Sequence, residues 1–214
     1  MKSILIIGLG RFGTYMAKKF TELGNHVMVL DTDEEKVNEI LPYVTSAQIG
    51  DATKTAVLNG LGIDNFDLCA VCMGENFQGS LEATSLLKEG GAKYVLSRAS
   101  TEIQAKFLMR NGADEVIFPE KQTAERLAVR YSANNVFDYI QLTPEYAIYE
   151  IPTPPSWAGK TIRDKGVRAK YNVNILGTKR AGTLVPNPPP DYVFAAGERI
   201  IVMCRKDDIE KLTH

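Results

Sequence analysis

The sequence predicts a doubly wound α/β fold, in which helices cover both faces of a parallel sheet, followed by a small α+β domain. Three observations support this prediction. Short apolar runs and helical patterns alternate six times over residues 1–132, which is typical of parallel strands joined by helices. The first run leads into a glycine-rich turn, and the second ends at an acid. After about residue 135 the alternation gives way to strands, turns and prolines.

The elements of the first part can be placed in order along the chain. Predicted strands fall near residues 3–7, 26–31, 47–50, 68–73, 94–98 and 115–118. Helical patterns fall near residues 11–23, 34–41, 54–60, 76–89, 101–111 and 120–132. Two halves of this kind give the strand order 3-2-1-4-5-6 of a Rossmann-like sheet, whose ligands bind beyond the carboxyl ends of the strands. We therefore expect functional residues in the turns that follow the strands.

The first of these turns carries the pattern of a nucleotide-binding βαβ unit. Gly8 permits the tight turn, Gly10 lets the backbone approach a pyrophosphate, and Gly13 lets the helix pack closely on the sheet. The N-terminus of the helix offers N–H groups and a partial positive charge to phosphates. The alternative is a tight turn that binds nothing.

The helix and strand that follow complete this unit. Apolar residues at helical spacing predict one face packed on the sheet; they are Phe12, Tyr15, Met16, Phe20 and Leu23. Gly24 is expected to end the helix. Asp31 closes the second strand, where an acid about 20 residues after the glycines binds a ribose hydroxyl. Asp31 also argues against a 2′-phosphate, because two anions would meet there.

Further candidate residues each leave two interpretations open. Arg11 could bind a phosphate with two hydrogen bonds, or could be a solvated arginine. Asp51 could bind adenine or ribose, or could cap the helix from Thr53 onward. Arg98 could contact a phosphate or form an ion pair between subunits. Glu120 could bind a divalent cation shared with phosphates, or could be an acid favoured by the helix dipole.

The composition bears on the class of protein and on its compartment. The net charge of −1 gives no general attraction to nucleic acid or anionic lipid. No run approaches the ~18 apolar residues of a membrane span, and we expect no signal peptide. The three cysteines lie in apolar runs, and Cys69 and Cys72 would point to opposite faces of one strand. Buried, reduced thiols in a cytoplasmic protein are therefore predicted.

A catalytic constellation is harder to find than a nucleotide site. The only histidines are His26, at the wrong end of the sheet, and His214, the last residue. No Ser-His-Asp or Cys-His pairing and no Walker A pattern can be proposed, and no metal cluster is predicted at Cys69 and Cys72. The nucleotide is therefore predicted to be an effector. An NAD-dependent oxidoreductase is the alternative, supported by the glycine turn and Asp31, and a scaffold with a vestigial site is a third hypothesis.

We predict a domain boundary between residues 134 and 135, giving domains of residues 1–134 and 135–214. The second domain is predicted to contain a strand over 147–151, a helix over Thr161–Tyr171 and a hairpin about Ala181-Gly182. A last strand over 200–205 and a short helix over 207–212 follow. Because a domain of this size buries little surface alone, we expect it to pair with a second copy.

Several of these motifs together resemble those of a known family. The residues concerned are Gly8-Leu9-Gly10-Arg11-Phe12-Gly13, Asp31, Gly50-Asp51-Ala52-Thr53 and Pro119-Glu120-Lys121. With the small second domain, they resemble the KtrA/TrkA regulators of potassium transport, which are RCK proteins. The similarity covers nearly the whole chain. It is closest to the KtrA branch in Val167–Tyr171, in Asn174–Leu176 and in the proline-rich stretch before Asp191.

The resemblance implies a cytosolic dimer, four of which form an octameric ring beneath a membrane potassium channel or transporter subunit. ATP and ADP, or NAD(H), would bind the first domain and change the shape of the ring. Arg11 matches the arginine that senses the terminal phosphate, and Glu120 matches the acid linked to a cation at the dimer interface. The expected nucleotide contacts are Gly8, Gly10, Arg11, Phe12, Gly13, Asp31, Thr32, Asp51, Ala52 and Arg98.

The resemblance also implies a second ligand. KtrA-like proteins can bind cyclic di-AMP at the dimer interface of the second domain. The positions that match this site are Ile162, Arg168, Ala169 and Asn174. One departure counts against the site, because Ile162-Arg163 stands where a pair of aliphatic residues is usual.

Overall fold

The computed structural model describes residues 1–132 and 136–213 and divides the chain into two compact units, Met1–Glu120 and Lys121–His214. The domain boundary predicted between residues 134 and 135 lies outside the described residues, as does His214. None of the described helices has the length and hydrophobicity required to cross a membrane.

The first unit is built on a six-stranded parallel sheet with the predicted strand order β3-β2-β1-β4-β5-β6. Its strands are β1 (Ser3–Ile7), β2 (His26–Asp31), β3 (Ser46–Ile49), β4 (Leu68–Val71), β5 (Val95–Arg98) and β6 (Glu115–Ile117). Strand β1 lies at the centre, in register with β2 on one side and β4 on the other. The crevice between the carboxyl ends of β1 and β4, where the strand order reverses, is the place that such sheets use for ligands.

Helices connect these strands and cover both faces of the sheet. They are α1 (Arg11–Glu22), α2 (Glu34–Ile40), α3 (Thr55–Asn59), α4 (Phe77–Glu89) and α5 (Glu102–Arg110). A further helix, α6 (Pro119–Ser132), follows β6 and continues from the first unit into the second, where Val129 packs against the core. Along β1, Ile4 and Ile6 belong to one buried cluster and Leu5 and Ile7 to another. Because successive strand residues point to opposite faces, these clusters are the cores on the two sides of the sheet, and the prediction of a doubly covered sheet is confirmed.

One detail of α1 was predicted wrongly. Phe12, Met16 and Phe20 pack against the sheet as expected, but Tyr15 is 76% exposed and Leu23 is 65% exposed. Helical residues are spaced by about 100°, so Tyr15 points away from the buried face. Leu23 follows the last helical residue, beyond the reach of the sheet. Helix α1 ends at Glu22, and Gly24, two residues later, has a φ of +80°, which fits the predicted stop.

The cysteines of the first unit lie as predicted. Cys69 belongs to the core on one face of the sheet and Cys72 to the core on the other, and both thiols are free. Strand β4 ends at Val71, two residues earlier than predicted, and Cys72 continues the ladder with a hydrogen bond of 2.7 Å from its N–H to the carbonyl of Ile7. A disulfide between the two thiols is therefore excluded by their placement.

These buried thiols should resist alkylation. Burial raises the pKa values of the Cys69 and Cys72 thiols to about 12 and that of Cys204 to about 11. Because only the thiolate reacts, iodoacetamide at pH 8 is expected to leave the native chain unmodified, as measured by intact mass. Denatured protein should take up three adducts, one for each cysteine. Stoichiometric labelling of the native chain would contradict the buried placement.

The second unit is a five-stranded antiparallel sheet with the order β10-β9-β11-β8-β7. Its strands are β7 (Asp138–Gln141), β8 (Tyr146–Pro152), β9 (Asn174–Arg180), β10 (Thr183–Pro186) and β11 (Arg199–Arg205). Its helices are α7 (Ile162–Lys165), α8 (Val167–Tyr171) and α9 (Lys206–Thr213). Trp157 and Phe194, with ring centroids 5.1 Å apart, are fully buried in its core.

The single helix predicted over Thr161–Tyr171 is two short helices. Thr161 caps the first one, accepting a hydrogen bond from the N–H of Asp164, whose carboxylate accepts from the N–H of Thr161. Gly166 then adopts φ +55°, which ends α7 and precedes α8. The apolar spacing runs on across this break, so the sequence pattern alone does not show it.

The hairpin predicted about Ala181-Gly182 is present. Both residues have positive φ, +46° and +84°, as the tight turn between two antiparallel strands requires. The second strand of the hairpin, β10, lies at the edge of the sheet and pairs only with β9. All its residues are exposed, and it ends at Pro186.

Candidate functional site

A cleft of about 1470 Å³ lies in the first unit at the carboxyl ends of the parallel strands. It is lined by the turns that follow β1, β2, β3 and β4, by Arg98 at the end of β5 and by Glu120 in the first turn of α6. Of the expected nucleotide contacts, these line it: Gly8, Gly10, Arg11, Phe12, Asp31, Thr32, Asp51, Ala52 and Arg98. Gly13 is buried in α1 and does not.

Two glycines of the first turn are required by the packing of the chain itself. Gly8 has φ +95°, and a Cβ there would lie 3.0 Å from Cγ of Met73 and 3.2 Å from the carbonyl carbon of Cys72. A Cβ at Gly13 would overlap the carbonyl of Gly8. These residues therefore hold α1 close to β1 and β4, whether or not a ligand binds.

Gly10 differs, because nothing in the packing of the chain requires it. It is the N-cap of α1 with φ −65° and ψ 176°, a conformation open to any residue, and a Cβ there would meet no atom of the described residues within 4 Å. Among the residues that the structure describes, no side chain caps this helix, and its first turn contains no acid. Gly10 therefore leaves the N–H groups of the helix N-terminus open to a ligand, an arrangement suited to phosphate.

Asp31 joins the glycine turn to the turn after β2. Its Oδ2 accepts the N–H of Leu9 at 2.5 Å and its Oδ1 accepts the N–H of Asp33 at 2.9 Å. Each carboxylate oxygen has a second lone pair, so the residue can still accept from a ribose hydroxyl. Thr32, the next residue, is exposed at the rim of the cleft.

Asp51 stabilises the turn after β3. Its Oδ1 accepts the N–H of Thr53 at 2.9 Å and the Thr53 hydroxyl at 2.7 Å, and these hydrogen bonds lower the pKa of the carboxyl. Helix α3 begins later, with Lys54 as its N-cap. Asp51 therefore stabilises the turn before α3 and is not the cap of that helix. Its Oδ2 faces Lys54 at 4.0 Å, and Ala52 beside it is buried in the cleft wall.

Part of the cleft lining was not identified in the sequence. It comes from α1, α2 and the turn Leu41–Tyr43, and the residues are Tyr15, Lys18, Lys36, Glu39 and Tyr43. The ammonium of Lys18 lies over the Tyr43 ring, 4.0 Å from its centroid. Nζ of Lys36 forms an ion pair with Oδ2 of Asp33 at 2.9 Å, and this contact raises the pKa of Lys36. Tyr15 and Lys18 lie three residues apart, so a helical wheel that placed Gly13 inward would have shown them on one exposed face.

The two arginines of the cleft differ in their surroundings. Within the part of the chain that is described, Arg11 is exposed and makes no hydrogen bond or ion pair. Arg98 forms an ion pair with Glu120 in the same chain and lies with its guanidinium 5.9 Å from the Phe12 ring centroid. Of these two cations, only Arg11 therefore makes no ion pair that a phosphate would have to displace.

The positions of the predicted second site lie in the second unit. Nη2 of Arg168, on α8, donates to Oδ1 of Asn174 at 2.7 Å, at the start of β9. Ala169 is exposed beside Arg168. Ile162 lies on α7 and packs partly against the core. The structure thus brings two of the four positions into direct contact, while Ile162 contributes to the packing of the unit.

The donor set at Glu120 does not by itself form a cation site. Over residues 1–132 and 136–213, no group of three or more His, Cys, Asp or Glu side chains could hold a metal ion. Glu120 supplies one carboxylate, and its neighbour is the Arg98 cation. A divalent cation at this position would have to take its other oxygen ligands from phosphates or water.

Family models match both parts of the chain. Residues 4–119 match the TrkA-N domain and residues 146–214 match the TrkA-C domain. The order of the two matches is the one that the sequence motifs predict.

Two similar proteins of Bacillus subtilis match nearly the whole chain. The Ktr system potassium uptake protein C is 39% identical over 210 residues, which are 98% of this chain and 95% of that protein. The Ktr system potassium uptake protein A is 37% identical over 210 residues, with the same coverage.

Solved structures with the same fold are more distant in sequence. The GsuK channel superposes with a TM-score of 0.71 at 19% identity, over 98% of this chain and 38% of that one. The GsuK channel bound to NAD superposes with a TM-score of 0.68 at 18% identity, over 100% of this chain and 39% of that one. The chain spans about two fifths of the length of these channel chains, and the likeness concerns fold alone.

Proposed function

Because the chain belongs to the KtrA/TrkA family of RCK-domain regulators of potassium transport, we propose that it is a nucleotide-responsive regulatory subunit. In this proposal the cleft of the first unit binds an adenine nucleotide, and the change in conformation is transmitted to a membrane potassium channel or transporter. The chain would act at the inner face of the membrane through that partner. The nucleotide would be an effector, released unchanged.

One observation supports this proposal above all, the N-terminus of α1. Gly10 leaves its N–H groups uncovered although the packing of the chain would accept a side chain there. Arg11 adds a cation without an ion-pair partner in the described chain. A helix N-terminus and an arginine together bind phosphate strongly, and Asp31 stands where a ribose hydroxyl would be bound.

ATP and ADP are the ligands that this arrangement favours, with NAD(H) as the competitor. ATP and ADP share the same adenosine contacts, so only the terminal phosphate distinguishes one from the other. We assign the adenosine contacts to Asp31, Thr32, Asp51 and Ala52. Arg11 would supply the differential contact. A charge-assisted hydrogen bond of ~1.5–3 kcal/mol gives a preference of roughly 10- to 150-fold. A ligand shifts a conformational equilibrium only by such a difference.

We extend the proposal to assembly and to further ligands through the family. The chain would form homodimers, with domains of residues 1–134 and 135–214, and the dimers an octameric ring. Glu120 would bind a divalent cation jointly with nucleotide phosphates. Cyclic di-AMP would bind the second unit at Arg168, Ala169 and Asn174, with Ile162 reaching the ligand only by its exposed edge.

The proposal is tested by measuring nucleotide binding to the full chain. Titration calorimetry with ATP, ADP, NAD⁺ and NADH should show binding of at least one nucleotide, with ATP and ADP distinguished. Failure of all four to bind at millimolar concentration would reject the proposal. A parallel assay should find no oxidation of NADH with candidate metabolites; substrate-dependent turnover that is lost with the cleft mutated would favour the oxidoreductase alternative.

A further inference from the structure

Arg98 is a confined cation at the edge of the cleft. Its side chain is 19% exposed, and a Cβ at Gly74 would overlap its guanidinium. Gly74 is itself held by a hydrogen bond from the Ser100 hydroxyl to its carbonyl at 3.1 Å. The guanidinium also lies over Phe12 of the glycine turn. Because these neighbours confine the guanidinium, Arg98 remains at the edge of the cleft and can move only slightly when it pairs with a different anion.

The pairing of Arg98 is incomplete. Nη2 bonds the carboxylate of Glu120, but Nε is buried with no hydrogen-bond partner among the described residues. A buried donor without an acceptor is unfavourable. A small shift of the guanidinium toward an anion with several oxygens would give Nε an acceptor, which a single carboxylate oxygen of Glu120 does not.

The carboxylate of Glu120, in contrast, can separate from Arg98 easily. Its side chain is 58% exposed, so its carboxylate can return to water at little cost. It lies in the first turn of α6, and this helix continues without a break to Ser132. The residue that pairs with Arg98 therefore belongs to the segment that leads from the first unit into the second.

We propose that a nucleotide phosphate and Glu120 compete for Arg98, so that binding in the cleft releases the first turn of α6. This inference rests on the proposed function and gives it a route, in which the occupancy of the cleft is communicated to the second unit through a change of partner at Arg98. It assigns Arg98 as a positioning residue for α6 as well as a phosphate contact.

The competition is tested by a double-mutant cycle on ATP affinity in the full chain, measured in EDTA so that no divalent cation contributes. Glu120→Gln removes the competitor and should tighten ATP binding about two- to fivefold, the range of a partly exposed ion pair. Arg98→Gln should weaken ATP binding. In the Arg98→Gln background, Glu120→Gln should tighten ATP binding no more than the loss of another acid in the cleft does, because no ion pair with Arg98 remains to be released.

Glu75→Gln provides the matched control. Glu75 is an exposed acid that lines the same cleft, so its removal reduces repulsion of the nucleotide without a change at Arg98. The change in ATP affinity caused by Glu75→Gln should be the same in the unsubstituted chain and in the Arg98→Gln background. Hydrogen exchange of residues 119–125 should also increase on addition of ATP in the unsubstituted chain and not in Arg98→Gln. If Arg98→Gln fails to fold by circular dichroism, Arg98→Lys takes its place.

The outcomes are distinct. A gain in ATP affinity from Glu120→Gln that is as large without Arg98 as with it, or a weakening of ATP binding by Glu120→Gln in EDTA, overturns the competition while nucleotide binding itself stands. Unchanged exchange of residues 119–125 on ATP binding overturns the release of α6. Absence of ATP binding to the unsubstituted chain overturns both this inference and the proposed function.

Discussion

Gly10→Asp is expected to abolish nucleotide binding while leaving the fold intact. The new side chain would occupy the open space at the helix N-terminus and would bond the N–H groups that a phosphate needs. Its charge would also repel the phosphates. A loss of affinity of at least about 100-fold, or ~2.7 kcal/mol, should be seen by calorimetry. The melting temperature should not fall, because Asp is a favourable N-cap.

Two variants serve as controls for this prediction. Gly10→Asn has nearly the same size without the charge, and should lose less affinity than Gly10→Asp, which separates repulsion from steric exclusion. Gly13→Ala should instead lower the melting temperature, because its Cβ would overlap the carbonyl of Gly8. A Gly10→Asp variant that binds ATP within about threefold of the unsubstituted chain would show that phosphates bind elsewhere.

Arg11→Gln is expected to remove the discrimination between ATP and ADP. The arginine has no hydrogen bond or ion pair within the described ranges, so its loss should not disturb the fold. ATP affinity should fall by about 10- to 150-fold, the worth of one charge-assisted hydrogen bond, and ADP affinity by less. Calorimetry of both nucleotides against the same preparation measures the ratio directly.

Lys18→Gln is the matched control for Arg11. It removes the same charge from the same cleft, but its ammonium lies over the Tyr43 ring and away from the helix N-terminus. Lys18→Gln should lower the affinities for ATP and for ADP by similar, small factors. If Arg11→Gln also weakens the two equally, Arg11 contributes only general attraction and the terminal phosphate is recognised by another residue.

The fold was predictable where a local signal and the tertiary packing agree. The strands of the first unit are short apolar runs bounded by turns, and their observed ends lie within two residues of the predicted ones. The hairpin at Ala181-Gly182 was predictable because the turn needs residues that accept positive φ. The side of α1 that faces the sheet was less predictable, since Gly13 and Ala17 carry too little apolar surface to mark the buried face.

The candidate site was predictable in its backbone and less so in its side chains. Glycines and strand-end acids follow from the βαβ geometry, so Gly8, Gly10 and Asp31 could be placed from the sequence. The pairing of Arg98 with Glu120 in one chain could not, because the two residues are separated by 22 positions and their contact depends on how β5 and α6 pack. Lys18 and Tyr43 were missed for the same reason.

The edge strand β10 has a consequence for solubility. The outer edge of such a strand offers its backbone N–H and C=O groups to strands of other molecules, and this is a common route to aggregation. Here the exposed strand is only four residues long, its last residue is Pro186, which has no N–H to donate, and three more prolines follow at positions 188–190. The hairpin is thus protected against open-ended growth of the sheet into fibrils.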